Sequence, residues 1–292
     1  MIANPNEDVW PIKRLLNWTA DFLKRKGSES PRLDTEVMLA HVLGWQRVQL
    51  YTHYEDIVSD ANRKAFRELV KKRAEGMPVA YLVGKKEFYS LKFEVSPAVL
   101  IPRPESEFVV VEFLSVCKSI ESPRAVDVCT GSGCIALASL HEHKTARFTA
   151  IDISPDALRI ARKNAAAHKL EDRIEFREGN LLAPVADEEP FDVIVSNPPY
   201  ISSGDIAGLE PGVRDYEPHL ALDGGPDGLR VVDALIKQAV PLLKPGGHLI
   251  LEIGSPQEQA VRQLIEAQPG YKLAPTVHDH AQHPRVIRAT KV

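Results

Sequence analysis

Cysteine is scarce in this chain: Cys117, Cys129 and Cys134 are the only three among 292 residues. Three clustered thiols cannot form a disulfide framework, and the Cys129/Cys134 spacing fits no common zinc knuckle, so free thiols are expected. His141/His143 and His278/His280/His283 lack a partnering cysteine or carboxylate pattern, and no metal is expected there. Apolar runs of membrane-spanning length are missing, and the first eight residues hold no basic segment followed by an apolar one. A cytoplasmic protein without a membrane association is the expectation. Charge of one sign is also lacking, with 36 Lys/Arg against 40 Asp/Glu and a net charge of -4. No global positive field exists to hold a nucleic-acid backbone by counterion release, so no direct nucleic-acid binding is expected. Internal repeats and low-complexity tracts are absent too, which excludes solenoids and arrays.

What is present is the composition of an ordinary globular protein, 44% hydrophobic and 26% charged, long enough for one large domain and one small one. Ile12, Leu15, Leu16, Thr19, Phe22 and Leu23 recur at helical spacing up to Gly27. Ser30-Pro31 supplies an N-cap and first position for a second helix ending near Gly44, and a third is expected over 59–76. Their apolar faces need one another, so residues 1–84 are expected to form a small helical bundle domain. This part carries 13 Lys/Arg against 11 Asp/Glu and the remainder 23 against 29, a weak asymmetry of +2 against -6. Residues 85–104 read as a hairpin connector, with Leu91, Phe93 and Val95 on one side of an extended segment.

From residue 105 to 292 the pattern becomes short apolar strands alternating with helical stretches, with strands expected at 125–128, 148–151, 174–176, 192–196 and 248–253. That alternation predicts a doubly wound α/β domain with a parallel sheet. Residues 184–190 and 202–226 read as loops, the second long enough to be functional.

The first of these strands runs into Cys129-Thr130-Gly131-Ser132-Gly133 and then a helix. Glycines at a strand-to-helix turn let a ligand approach the backbone beside the unpaired N–H groups of the helix start. Asp152, ending the next strand about twenty residues on, stands where a carboxylate reaches ribose hydroxyls. The constellation points to a nucleoside cofactor without choosing one. Gly131-Ser132-Gly133-Cys134-Ile135-Ala136 also satisfies the G-x-G-x-x-A pattern of dinucleotide sites, so on this loop alone NAD and S-adenosylmethionine both remain open.

The fourth strand ends in Asn197-Pro198-Pro199-Tyr200, at the sheet edge where doubly wound folds bind substrates. The plain alternative is a proline-stiffened loop, but a turn needs neither a specific Asn nor a terminal aromatic. An amide or aromatic amino nitrogen is planar, and its delocalised lone pair makes it a poor nucleophile until its hydrogens are held aside. The side-chain oxygen of Asn197 and the backbone oxygen of Pro198 can each accept one N–H, and Tyr200 can stack on the planar group. With a methyl already activated on a sulfonium, alignment supplies most of the rate and no strong general base is required. Hydride transfer would leave this arrangement unexplained.

These residues, with Leu16-Asn17-Trp18-Thr19, Ser30-Pro31-Arg32-Leu33-Asp34, Pro78-Val79-Ala80-Tyr81-Leu82, Ile101-Pro102-Arg103-Pro104-Glu105, Glu217-Pro218, Gly224 to Gly228 and Glu252-Ile253-Gly254, give the chain a resemblance to a known family along nearly its whole length. It resembles the HemK/PrmC family, the N5-glutamine methyltransferases that modify the Gly-Gly-Gln loop of class I peptide chain release factors. The resemblance implies a seven-stranded Rossmann-like methyltransferase domain and S-adenosylmethionine contacts from Cys129, Thr130, Gly131, Ser132, Gly133, Asp152, Asn180, Leu181 and Asn197. It implies that Asn197, Pro198, Pro199 and Tyr200 hold the glutamine amide, that Arg103 and Glu105 help close the pocket, and that the helical domain docks the release factor. A monomer acting in translation termination is expected. Cys129 stands where the family usually has glycine, Asn180 replaces the commoner acid, Leu181 stands where some members have an aromatic, and Ser106 replaces Thr.

Other readings remain beside this one. Arg103 and Glu105 would, in the plain structural alternative, be an ion pair capping the next helix. A sister enzyme acting on a ribosomal-protein glutamine would use the same chemistry. A nucleic-acid adenine amino-methyltransferase would also present a planar NH2, but would need a basic stripe or recognition domain not evident here. A non-catalytic cofactor-binding scaffold would not need the Asn197-to-Tyr200 quartet.

Overall fold

The computed structural model of the chain describes residues 9–292; the first eight, which carried the expectation about a leader, lie outside them. Two compact units are formed. One ends at Gly84 and takes in Pro211–Tyr216; the other holds Lys85–Glu210 and Glu217–Val292.

The first unit is helical: α1 (Ile12–Arg25), α2 (Pro31–Leu43), α3 (Arg47–Thr52), α4 (Asp60–Ala74) and α5 (Val79–Val83), joined by the short helix Pro211–Arg214. Helix α1 buries Ile12, Leu15, Leu16 and Leu23 against Met38 and Leu39 of α2 and Phe66 and Val70 of α4. Each such side chain removed from water is worth about 1.5–3 kcal/mol. Pro31 opens α2 as expected, but the Ser30 side chain makes no capping bond; the hydroxyl that does cap is Ser59, which accepts from the Asn62 N–H of α4. Helices α3 and α5 span six and five residues, too short to show a helical period in sequence. Glu36, only 2% exposed, ties α2 to α3. It accepts from Arg32 and Arg47, each at 2.8 Å, and from the Tyr51 hydroxyl. Burial pushes its pKa up, but these donors outweigh burial and hold the carboxylate below its ordinary value.

The second unit begins with an antiparallel hairpin, β1 (Lys85–Phe88) and β2 (Leu91–Glu94), closed by Tyr89 and Ser90, both at positive φ as a two-residue I′-type turn requires. The large sheet comprises β3 (Arg124–Val128), β4 (Arg147–Asp152), β5 (Ile174–Glu178), β6 (Phe191–Ser196), β7 (Leu243–Glu252), β8 (Tyr271–Leu273), β9 (Val277–His278) and β10 (Pro284–Lys291). Its order is β5-β4-β3-β6-β7-β10-β8, with β9 on β10. β3 to β7 pair in parallel and β10 runs antiparallel to β7. The expected doubly wound α/β sheet is present, seven strands along its path. β8, β9 and β10 have no counterpart among the sequence-based expectations, which stopped at residue 253.

Both faces of the sheet are covered, as buried parallel strands require. α6 (Glu107–Cys117), α7 (Cys134–Glu142) and α8 (Pro155–His168) lie on one side, and the helices Arg230–Leu242 and Glu258–Ala267 on the other. Alternation along β6 sends Val193 and Val195 into the first core and Ile194 into the second. β3 sits between β4 and β6, so the strand order reverses there and a crevice opens at the carboxyl edge. Among the described residues no helix is long and apolar enough to cross a membrane.

Candidate active site

At that edge β3, β4, β5 and β6 release Cys129, Ile153, Gly179 and Asn197 around a cavity of about 450 Å³. The turn after β3 is tied to its neighbours by backbone bonds: Thr130 N–H to Ile151 O at 3.0 Å, and Gly133 N–H to Thr130 O at 2.8 Å. Cys129, Gly131 and Gly133 all have positive φ, at 60°, 56° and 79°. A non-glycine residue in this region carries about 1–2 kcal/mol of strain. Cys129 thus adopts the backbone that glycine would adopt freely. A methyl on Gly133 would meet Leu137 at 3.2 Å and Ala161 at 3.3 Å, so this glycine sets how closely the turn packs on α7 and α8.

Two carboxylates frame the turn. Asp152 accepts from Gly131 N–H and Ser154 N–H, each at 2.9 Å, so it shapes the loop as well as lining the cavity. Burial raises its pKa against those N–H donors. Asp127, 1% exposed, accepts from the Thr130 hydroxyl at 2.7 Å. Burial pushes it up to about 7, and the nearby Asp152 adds to the shift.

Asn197 follows β6 and is half-buried. Its Nδ2 donates to Ser106 Oγ at 3.0 Å, and among the described residues nothing donates to its Oδ1. Ser106 is itself buried, and Glu252 lies at the end of β7. Glu252 is 2% exposed, and its Oε2 has no partner among the described residues.

Tyr200 is held from behind. Gln257 Nε2 donates to Tyr200 O at 2.9 Å and to Gly228 O at 3.2 Å, while Gln257 Oε1 accepts from Gly254 N–H at 3.1 Å. Burial pushes the Tyr200 phenol up to about 12, so it stays neutral through the physiological range. The chain after Tyr200 folds back, with Ile201 N–H to Leu222 O at 2.9 Å and Gly224 N–H to Ile201 O at 2.8 Å.

Of the residues singled out in sequence, Cys129, Thr130, Gly131, Ser132, Asp152, Asn180, Leu181, Asn197, Pro199 and Arg103 line one cavity; Gly133, Pro198, Tyr200 and Glu105 do not line it and stand around it. The Arg103–Glu105 ion pair of the plain reading is not formed. Arg103 Nη2 instead donates to Glu217 Oε1 at 2.5 Å, and the other oxygen of Glu217 accepts from Ile101 N–H at 3.2 Å. Glu217, 4% exposed, is the better partner because it is fully desolvated and uses both oxygens. Sequence reasoning gave no site role to Glu217, Ser106 or Gln257. Each acts on a residue 57 to 114 positions away, and no local spacing signals that.

All three cysteines are poor thiolates. Burial pushes Cys117 and Cys134 up to about 12 and Cys129 higher than its ordinary value, where Asp152 and Asp127 add to the effect. An aromatic disulfide reagent at pH 8 should therefore release almost no thiol from the native protein and three per chain after denaturation. Rapid native reaction at Cys129 would contradict the site's electrostatics.

A glycine turn between β3 and α7, a carboxylate at the end of β4 and an Asn-Pro-Pro-Tyr segment after β6 are the parts of a methyltransferase, and residues 109–208 match the methyltransferase small domain model. Residues 14–84 match the model of the PrmC N-terminal domain. Curated relatives named release factor glutamine methyltransferase include those of Rhodopirellula baltica, 42% identical over the full length of both chains, and Moorella thermoacetica, 43% identical over 95% of this chain and 98% of that one. The chain belongs to this release factor glutamine methyltransferase family, HemK/PrmC, and is an enzyme. Among solved structures, the hMettl16 catalytic domain in complex with a MAT2A 3'UTR hairpin has a TM-score of 0.56 at 14% identity, covering 80% of this chain and 84% of that one. The T. thermophilus 16S rRNA N2 G1207 methyltransferase has a TM-score of 0.51 at 18% identity, covering 71% and 50%. These two share the fold.

Proposed function

We propose that the enzyme transfers a methyl group from S-adenosylmethionine to the side-chain amide nitrogen of the glutamine in the Gly-Gly-Gln loop of class I peptide chain release factors. The observation that carries this reading is the state of Asn197: its NH2 is committed to Ser106, so its Oδ1 is left as an acceptor at the cavity wall. An acceptor there suits an incoming NH2 group, and the Pro198 carbonyl offers the second.

The cavity's chemistry favours a cation over a pyrophosphate. Asp152 and Asp127 flank the glycine turn, and a dinucleotide's two phosphate charges would sit against them. When bound, adenosylmethionine supplies a methyl already activated on a sulfonium. Asp152 would then meet the ribose, the Asn180–Leu181 segment would pack on adenine, and Cys129 to Gly133 would follow the amino-acid end. Asn197 and Pro198 would aim the amide nitrogen, Pro199 and Tyr200 would bound its planar face, and Arg103, held by Glu217, would close the pocket. Holding both N–H groups aside fixes the trajectory for in-line displacement, a positioning effect that can supply several kcal/mol of barrier reduction.

A direct test is to incubate the enzyme with labelled cofactor and a purified release factor, intact or with the loop glutamine replaced, and to map the label. Label on the glutamine amide of the intact factor alone is expected. Label elsewhere on the factor, on a ribosomal protein or on nucleic acid would refute the assignment.

The helical unit would serve as the docking module. Along α1, Trp18 is 51% exposed and stacks on Phe22 at 5.4 Å, with Arg14 over Trp10 at one end and Lys26 over Phe22 at the other. Exposed, preordered aromatics are frequent anchors of binding energy. Trp18→Ala should raise KM for the release factor by about tenfold, equivalent to ~1.4 kcal/mol, with kcat and cofactor affinity unchanged in steady-state kinetics. An unchanged KM would remove this face from the docking surface.

A further inference from the structure

The Asn197-to-Tyr200 segment has few ways to be held in place. Two of its four residues are proline and offer no N–H, so its grip on the rest of the unit falls mainly to its carbonyls and to the Asn197 side chain. At its start Asn197 Nδ2 donates to Ser106, and in the reading above the Pro198 carbonyl is kept for the substrate. The far end is where a donor is needed, and the side chain that supplies one is Gln257.

We propose that Gln257 is a positioning residue for the reaction: it grips both the Tyr200 carbonyl and the backbone against which the Tyr200 ring lies, and so fixes the ring as a wall for the substrate's planar amide. This inference rests on the face-bounding role given to Tyr200 above. One side-chain amide makes all the contacts. Both Nε2 hydrogens are used, on Tyr200 O at 2.9 Å and on Gly228 O at 3.2 Å, and Oε1 accepts from Gly254 N–H at 3.1 Å. The Tyr200 ring rests on that same glycine, since a methyl on Gly254 would come within 3.3 Å of Tyr200 Cδ2. Carbonyl and ring of Tyr200 are thus referred to a single group. The Gly228 bond ties in the returning chain, which Ile201 already joins through Leu222 and Gly224.

The plain alternative is a cap. Gln257 closes the short turn Ser255–Gln257 ahead of the helix Glu258–Ala267, and its Oε1 bond back to Gly254 N–H is the one a capping glutamine makes. A cap uses only the acceptor end of the amide. Glutamate fills that role as well as glutamine does, and its charge is favoured at a helix start. The clasp uses the donor end too. Gln257→Glu would keep an acceptor for Gly254 N–H but set a carboxylate oxygen against two backbone carbonyls with no hydrogen between them. Gln257→Met keeps the length and removes both ends. The two roles therefore order these variants oppositely: a cap places Gln257→Glu beside the wild type and above Gln257→Met, whereas a clasp places it below both. Gln257 is half-buried and does not line the cavity, so neither substitution alters a cavity-lining side chain.

The test compares Gln257→Met and Gln257→Glu with the wild type for methyl transfer to the release factor, at saturating cofactor and at a temperature where each is fully folded by circular dichroism. Gln257→Met should lower kcat about tenfold and Gln257→Glu about thirtyfold, within the loss that a displaced positioning group brings, while KM for the release factor and cofactor Kd stay within about twofold of wild type. Tm should fall in the order wild type, Gln257→Met, Gln257→Glu. In a Tyr200→Ala background the same substitutions should lower the remaining rate by less than about twofold, since they act through the Tyr200 ring. Wild-type kcat in Gln257→Met, a kcat or Tm for Gln257→Glu at or above that of Gln257→Met, or losses carried in full into the Tyr200→Ala background would each overturn the proposal. Should Gln257→Glu not fold, the kcat of Gln257→Met and its behaviour in the Tyr200→Ala background decide. The functional reading fails on a different result. A wild-type enzyme that leaves the release-factor glutamine unmethylated sinks that reading, and the Tm order, which needs no substrate, still judges the clasp.

Discussion

Asn197→Ala is expected to lower kcat for methyl transfer on the order of 10²–10³-fold, the range seen when one preorganised polar contact to a reacting group is removed. The protein should remain folded, with Tm within a few degrees of wild type, because the side chain is half-buried at the cavity wall and, among the described residues, its side-chain hydrogen bond is the single one to Ser106. The reacting nitrogen would keep the Pro198 carbonyl but lose the acceptor that holds its second hydrogen aside. Single-turnover rates at saturating cofactor, with cofactor binding measured separately by calorimetry, separate this from a binding defect. Turnover close to wild type would show that the Asn197 amide does not aim the substrate.

Gly228→Ala should be strongly damaging although Gly228 does not line the cavity. A methyl there would lie 2.3 Å from Tyr200 O and 2.7 Å from Gln257 Nε2, at a φ of +75°. Neither neighbour can yield easily. Tyr200 O and Gly228 O are both bonded to the Gln257 amide, and the chain on either side is pinned by Ile201 N–H to Leu222 O and Gly228 N–H to Gly225 O. Overpacking together with left-handed strain should cost about 2–5 kcal/mol, and Tm should fall by about 5–15 °C. The displaced Tyr200 would widen the substrate face, and misplacement by about 1 Å can cost on the order of 10²-fold in rate. Gly246→Ala separates the two causes. Its φ is +77°, but its methyl would meet nothing within 4 Å, so only the backbone strain of about 1–2 kcal/mol should appear, without loss of activity. Equal effects of the two substitutions would show that the contact with Tyr200 is not what matters.

The elements that sequence reasoning recovered are those with a strong local signal. The helical stripe of Ile12, Leu15, Leu16 and Leu23 is α1, and the apolar runs at 125–128, 148–151, 174–176 and 192–196 lie in β3 to β6. What it passed over lacked such a signal. α3 and α5 are about one turn long, and β8 to β10 follow a helix without a repeated strand-helix alternation to announce them. β10 finds its place only by inserting antiparallel between β7 and β8. The segment Pro211–Tyr216, read within a loop, lies with the first unit, where the Tyr216 hydroxyl donates to Glu75 O at 3.1 Å.

The sequence by itself determined the chemistry on offer at the sheet edge: a glycine turn after one strand, a carboxylate after the next, and an amide with two prolines and a tyrosine after a fourth. Those are contiguous groups of residues on elements whose periodicity is local, so spacing alone places them at strand ends. Only the tertiary structure decided how each group is oriented. Asn197 is turned by Ser106, 91 residues away, Arg103 is taken from Glu105 by Glu217, and Tyr200 is fixed by Gln257. Orientation depends on which donor faces which acceptor once distant strands are side by side, and a linear chain does not carry that information in any single stretch.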